Sequence, residues 1–186
     1  LKKYLIVIPF IFGAFFFVHP AHATVCGNNN AINSFYSGVG GNTNANNGCI
    51  PTATSTVQSC VLQATGSSGQ LGCAVYADSA GSPSGSPLCS ATTTVSAVGT
   101  TTIPLSGCGN LNNGSTYWLA VNNTTTLYYY SDTAGATTGL TQSVQYPAFP
   151  TGGTWSSYPF AEQIIAYLNI TASTTTVPTI SSFSAS

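Results

Sequence analysis

Beyond its first 23 residues the chain has no lysine, arginine or histidine: Lys2, Lys3, His19 and His22 all lie in that opening stretch. The remainder carries three carboxylates, Asp78, Asp132 and Glu162. The side-chain charge of residues 24–186 is therefore −3. A surface without cationic side chains cannot neutralise phosphates or bind an anionic membrane electrostatically, so nucleic acid and lipid surfaces are not expected partners. The usual general base is missing too, and with it any Ser–His or Cys–His nucleophile. No phosphate-binding glycine loop and no Gly-x-Ser-x-Gly elbow occurs. Methionine is absent throughout. No CxxC pair exists, which disfavours zinc.

The one long apolar run opens the chain. Lys2 and Lys3 precede an apolar stretch, residues 5–18, interrupted by Pro9 and Gly13, and Ala21-His22-Ala23 comes next. A charged start, a short apolar core and a small-x-small site read as a cleaved secretory leader over residues 1–23. The run falls short of a membrane span by about five residues. Export to the periplasm, medium or cell surface is the expectation, with no membrane insertion after cleavage. Residues 24–171 then form one domain, and 172–186 a Ser/Thr-rich tail or the start of a further module.

All six cysteines, Cys26, Cys49, Cys60, Cys73, Cys89 and Cys108, fall in the first half of that domain. An even count in an exported chain reads as disulfides. Sequence does not choose among the pairings, but sequential loops of moderate length give Cys26–Cys49, Cys60–Cys73 and Cys89–Cys108 as the expectation.

The remaining pattern is all-β. Short runs rich in Val, Ile, Thr and Tyr alternate with Gly, Ser, Asn and Pro clusters, and no stretch has helical period and caps. Strands are predicted at 31–36, 50–54, 56–65, 70–77, 88–95, 100–105, 116–121, 124–131, 141–146 and 162–171. The fold expected is a single antiparallel β-sandwich of about 8–10 strands, stapled by disulfides in its first half. Alternation assigns faces: Gln58, Cys60, Leu62 and Ala64 inward; Leu71, Cys73, Val75 and Ala77 together; Tyr117, Leu119 and Val121 opposite Trp118 and Ala120. Gly66-Ser67-Ser68-Gly69 is read as a hairpin turn that brings Cys60 near Cys73. The Gly/Asn tract at 38–48 is read as a surface loop, too polar to bury.

Two motifs carry a resemblance. One is Ala74-Val75-Tyr76-Ala77-Asp78-Ser79-Ala80-Gly81-Ser82-Pro83 with Leu88 beyond it. The other is Thr102-Ile103-Pro104-Leu105 with Leu111-Asn112-Asn113-Gly114-Ser115-Thr116-Tyr117-Trp118-Leu119-Ala120-Val121. Together they resemble exported bacterial β-sandwich domains, jelly-roll-like, found in surface, adhesin-like and phage-associated proteins. The likeness spans about residues 50–171 and implies a fold and a surface setting. It carries over no catalytic residue.

Chemistry-bearing constellations are few. Asp78 and Asp132 each open a turn, Asp-Ser-Ala-Gly and Asp-Thr-Ala-Gly, where a carboxylate accepts backbone N–H groups just downstream. Calcium at Asp78 or Asp132 is the one metal these residues suggest, on a single carboxylate each. A glycosidase would need two acids in one cleft. Aromatics are more numerous. Trp118, Tyr128, Tyr130, Trp155 and Tyr158 sit among Asn, Thr and Ser and are the candidate ligand-binding residues for a sugar. The competing reading is that these rings cover the core. Asn113, Asn122, Asn123 and Asn169 each open an Asn-x-Ser/Thr triplet. Three functions are compatible with these features, in order of preference. The first is a non-catalytic surface or matrix module that self-associates through sheet edges. The second is a polysaccharide-binding module, and the third an Asp/Glu-dependent hydrolase.

Overall fold

A computed structural model describes residues 23–29, 36–37, 41–66, 68–124, 129–131, 139–157 and 163–173. Residues 1–22 and 174–186, Asp132 and Glu162 lie outside them. All the regular structure among these residues is β, in fifteen strands: β1 Ala23–Gly27, β2 Tyr36–Ser37, β3 Thr43–Cys49, β4 Ser55–Ala64, β5 Gly69–Ser79, β6 Ser82–Pro83, β7 Cys89–Val95, β8 Gly99–Pro104, β9 Asn110–Leu111, β10 Tyr117–Asn123, β11 Tyr129–Ser131, β12 Gly139–Gln142, β13 Ser156–Ser157, β14 Gln163–Ile164 and β15 Ala166–Ala172.

These form two main antiparallel sheets and a small third one. The first sheet runs β1-β15-β4-β8, with β9 also on β4; the second runs β13-β12-β3-β10-β5-β6, with β7 also on β5. In each, two short strands continue one broken edge. β8 and β9 lie end to end along β4, and β7 and β6 along β5. The third sheet is β14-β11-β2. An all-β sandwich with disulfides in its first half is the fold the sequence predicts.

The core lies between the two main sheets. Cys60, Leu62 and Ala64 of β4, Ile103 of β8 and Leu168 and Ile170 of β15 meet Leu71, Cys73 and Val75 of β5 and Tyr117, Leu119 and Val121 of β10. Each set follows the two-residue pleat, so one face of each strand enters the core. A bulge explains the one inward assignment that fails. Asn169 pairs with Ser59 but Ile170 with Val57, leaving Gln58 as an extra residue. Val57 and Cys60 both reach the core as a result, and Gln58 is exposed.

All three expected disulfides are present; two join a strand of the first sheet to a strand of the second, and the third ties the second sheet to a loop between two strands of the first. Cys26 of β1 bonds Cys49 of β3, and Cys60 of β4 bonds Cys73 of β5. Cys89 of β7 bonds Cys108, which lies in the excursion between β8 and β9. The hairpin expected between β4 and β5 is not formed. β5 pairs with β10, β6 and β7, so β4 and β5 belong to different sheets. Cys60 and Cys73 meet across the core rather than along a ladder, with Cα atoms 6.5 Å apart.

The Gly/Asn tract is the largest correction. β3 is a central strand between β12 and β10, and Thr43, Asn44, Ala45 and Asn46 are buried. Its ladder bonds on both edges satisfy the backbone, which overrides the low β-propensity of Asn and Gly. Register slips between Tyr117↔Cys49 and Leu119↔Asn46, a bulge at Asn47-Gly48. That slip turns Cys49 into the core while Ala45 faces the other way. The strand expected at 50–54 is a loop, and Ile50 is exposed. Strand β12 ends at Gln142, short of the predicted 146.

Candidate functional site

The centre of the second sheet is buried on both faces, and its outer face is where Trp118 and Trp155 gather. Every residue of β10 is buried. Trp118 and Ala120 of β10, Ala74 and Tyr76 of β5, Ala45 of β3 and Leu140 of β12 form a second apolar cluster with Phe149. Trp155 packs on it edge-on to Tyr76, centroids 5.8 Å apart at 81°. Residues 143–157 thus form a cover over this face.

The cover is fastened by polar side chains of the sheet beneath it. Thr43 Oγ1 donates to the Val144 carbonyl at 2.8 Å, and Asn122 Nδ2 to Ala148 at 2.6 Å. Tyr76 Oη donates to Pro150 at 2.8 Å and Gln142 Nε2 to Gly152 at 3.0 Å. An irregular segment over a sheet must satisfy its carbonyls, and four strands supply the donors. Room for the cover comes from Gly72, opposite Asn122. A Cβ there would stand 3.0 Å from Phe149 Cζ and closer still to Asn122 Oδ1. Asn46, with its amide oriented to satisfy both neighbours, donates to the Ala45 carbonyl and accepts from Ile164 N–H.

Burial without charge neighbours raises the Tyr76 hydroxyl pKa well above its ordinary value, through desolvation of the phenolate. A raised folded-state pKa means the folded chain holds this proton more tightly than the unfolded one. The contribution is complete below the ordinary phenol pKa near 10 and is lost as pH rises beyond it. With no histidine after residue 23, thermal stability is expected to stay nearly flat from about pH 5 to 8 and to fall above about pH 10. Melting curves across that range check it. A transition near pH 6.5 would contradict it.

Trp118 is fully buried, paired with Tyr76 across the ladder, and its Nε1 donates to Asp78 Oδ1 at 2.7 Å. Its ring has no free face for a sugar; the cover occupies the side that alternation left outward. Trp155 is partly buried on the same cluster. Tyr130 lies on β11, paired with Tyr36 and Ile164. Tyr128 and Tyr158 lie outside the described residues. The structure therefore brings Trp118 and Trp155 to one cluster as covering rings. A shallow groove of about 350 Å³ lies beside Trp155, lined by Thr141, Gln142, Ser143, Val144, Thr154 and Ser156. Thr154 and Ser156 line the groove, while Trp155 between them packs on Tyr76.

Asp78 behaves as the turn reading expects, with one addition. Its Oδ2 accepts from Gly81 N–H at 3.3 Å. Ala80 and Gly81, at φ 53° and 80°, make the two-residue loop of the β5–β6 hairpin, both with positive φ as a type I′ turn needs. The other oxygen is taken by the Trp118 indole, a partner that sequence spacing could not show. Among the described residues no three His, Cys, Asp or Glu side chains come together as a metal site. Asp78 borders a depression of about 380 Å³ with Ala77, Asn112, Ser115, Thr116 and Tyr117, a neutral polar lining around one carboxylate.

No protein-family model matches the chain, and no curated protein matches it. Three disulfides indicate an oxidising compartment, periplasmic or extracellular. Among the described residues no helix is long and apolar enough to cross a membrane.

Proposed function

We propose that the chain is a non-catalytic, exported structural or adhesion module of a cell surface or extracellular matrix. The observation that carries this reading is the set of three disulfides, two joining one sheet of the sandwich to the other and the third tying the second sheet to a loop of the first. Such clamping suits a module that must keep its shape outside the cell, where no reductant threatens it. The single described carboxylate, Asp78, is engaged in a turn and an indole bond, which suits a scaffold rather than an acid catalyst. Self-association fits the same reading. Among the described residues β1 pairs with β15 alone, and its Val25 is half exposed. An open edge without lysine is the kind that accepts another strand. Polysaccharide binding is the second reading, favoured by the neutral Thr/Ser/Gln groove beside Trp155. Calcium at Asp78 would be an accessory to either.

Antibody labelling of intact, unpermeabilised source cells, paired with retention on insoluble polysaccharides, separates these readings. The structural module predicts surface or matrix label without polysaccharide retention. Retention that a Trp155→Ala change abolishes would favour the second reading. Label seen only after lysis would overturn both.

A further inference from the structure

The four Asn-x-Ser/Thr triplets are equal in sequence and unequal in the fold. Asn122 and Asn123 lie in β10 at 0 % and 2 % exposure, and the Asn122 amide nitrogen already donates to the Ala148 carbonyl beneath the cover. A glycan on either would have to displace residues 143–157 or the core. Asn169 lies within β15, half buried, between β1 and β4, and its Nδ2 donates to Ser59 Oγ at 3.0 Å. Asn113 differs on every count. It is exposed, outside any strand, and stands at the tip of a turn closed by Ser115 N–H on the Asn112 carbonyl at 3.3 Å. Gly114 takes φ 72° while Asn113 keeps a negative φ, the combination of a type II turn. The turn is held from below, where Gly114 N–H donates to Pro51 at 2.8 Å and Asn112 N–H to Tyr117 Oη at 2.8 Å. The asparagine is thus presented outward on a fixed base.

We propose that Asn113 is an N-glycan acceptor of the folded chain. The step joins the Asn113 side-chain nitrogen to the anomeric carbon of a polyprenyl-diphosphate-linked oligosaccharide. The C–O bond to the diphosphate breaks, the lipid diphosphate leaves, and the amide gives up one proton. The first sugars would lie over the depression that Asp78, Asn112, Ser115 and Thr116 line, about 380 Å³ of hydroxyl, amide and carboxylate surface beside the turn. A glycan there also supplies hydration to a surface almost without charge, where Lys and Glu usually provide it. In nature this rests on the export proposed above, so the test supplies export independently.

The chain is directed into the yeast secretory pathway, recovered from the medium and mapped by peptide mass spectrometry before and after amidase removal of N-glycans. The expected result is one glycan-sized mass step, located on Asn113, with that asparagine converted to aspartate after removal. N113Q and S115A are each expected to abolish the step while melting like the deglycosylated parent. Secreted, folded protein with Asn113 unmodified, or with its glycan on Asn122, Asn123 or Asn169, would overturn the proposal and leave the surface-module reading untouched.

Discussion

Full reduction of the three disulfides is expected to unfold the domain in mild conditions where the oxidised form is stable. Each bond closes a loop that spans the two sheets, with sequence separations of 23, 13 and 19 residues. Such loops contribute roughly 2–4 kcal/mol apiece by restricting the unfolded chain. Three together rival the entire stability of a typical domain, about 5–15 kcal/mol. Position adds to the count. Cys60 and Cys73 are wholly buried at the centre of the core, so reduction there also leaves two thiols in a space shaped for one bridge. The paired change Cys60→Ala with Cys73→Ala is expected to lower stability by about 2–5 kcal/mol on its own. Urea titrations of oxidised, reduced and paired-alanine protein check this. A reduced form with an unchanged midpoint would show that packing alone holds the sheets together.

Trp118→Ala is the single substitution expected to cost most. The indole is fully buried between β10 and the cover and holds Asp78 by its N–H. Truncating a buried aromatic of this size costs about 3–5 kcal/mol through lost burial and the cavity left behind. At about 2–4 °C per kcal/mol for a domain of this size, the melting temperature should fall by roughly 6–20 °C. Asp78→Asn retains an acceptor oxygen for the indole and is expected to cost only about 1 kcal/mol. Calorimetry on the two variants separates packing from the hydrogen bond. Equal small shifts in both would mean that the cover does not depend on Trp118.

The strongly alternating runs were legible in the sequence. Leu71, Cys73 and Val75, and Tyr117, Leu119 and Val121, show period two, and both sets line the core. The disulfide pairs were legible too, though for a different reason from the real one. A hairpin at Gly66–Gly69 suggested that Cys60 and Cys73 are ladder neighbours, whereas they face each other across the sandwich. Local turn chemistry cannot tell a hairpin from a crossover, because glycine and serine serve both. β3 was illegible because Thr43-Asn44-Ala45-Asn46 has neither apolar alternation nor β-branched bulk. Its strand is imposed by β10 and β12 on either side. The cover over Trp118 was hidden for a related reason. Only Phe149 and Trp155 mark it, and its fastening comes from the isolated polar groups of Thr43, Tyr76, Asn122 and Gln142, which no local sequence pattern links to residues 143–157. Of the candidate aromatics, Trp118 is the one the cover closes off. Trp118 looked outward because one face of its strand already served the core.

Under the proposed function the domain is a disulfide-clamped sandwich that works outside the cell. The most direct measurement is thiol alkylation and then non-reducing peptide mapping, on protein recovered from the exterior of intact source cells. The account predicts three linked peptides, Cys26–Cys49, Cys60–Cys73 and Cys89–Cys108, and no alkylated cysteine. Protein found only inside the cell with its cysteines alkylated would contradict it.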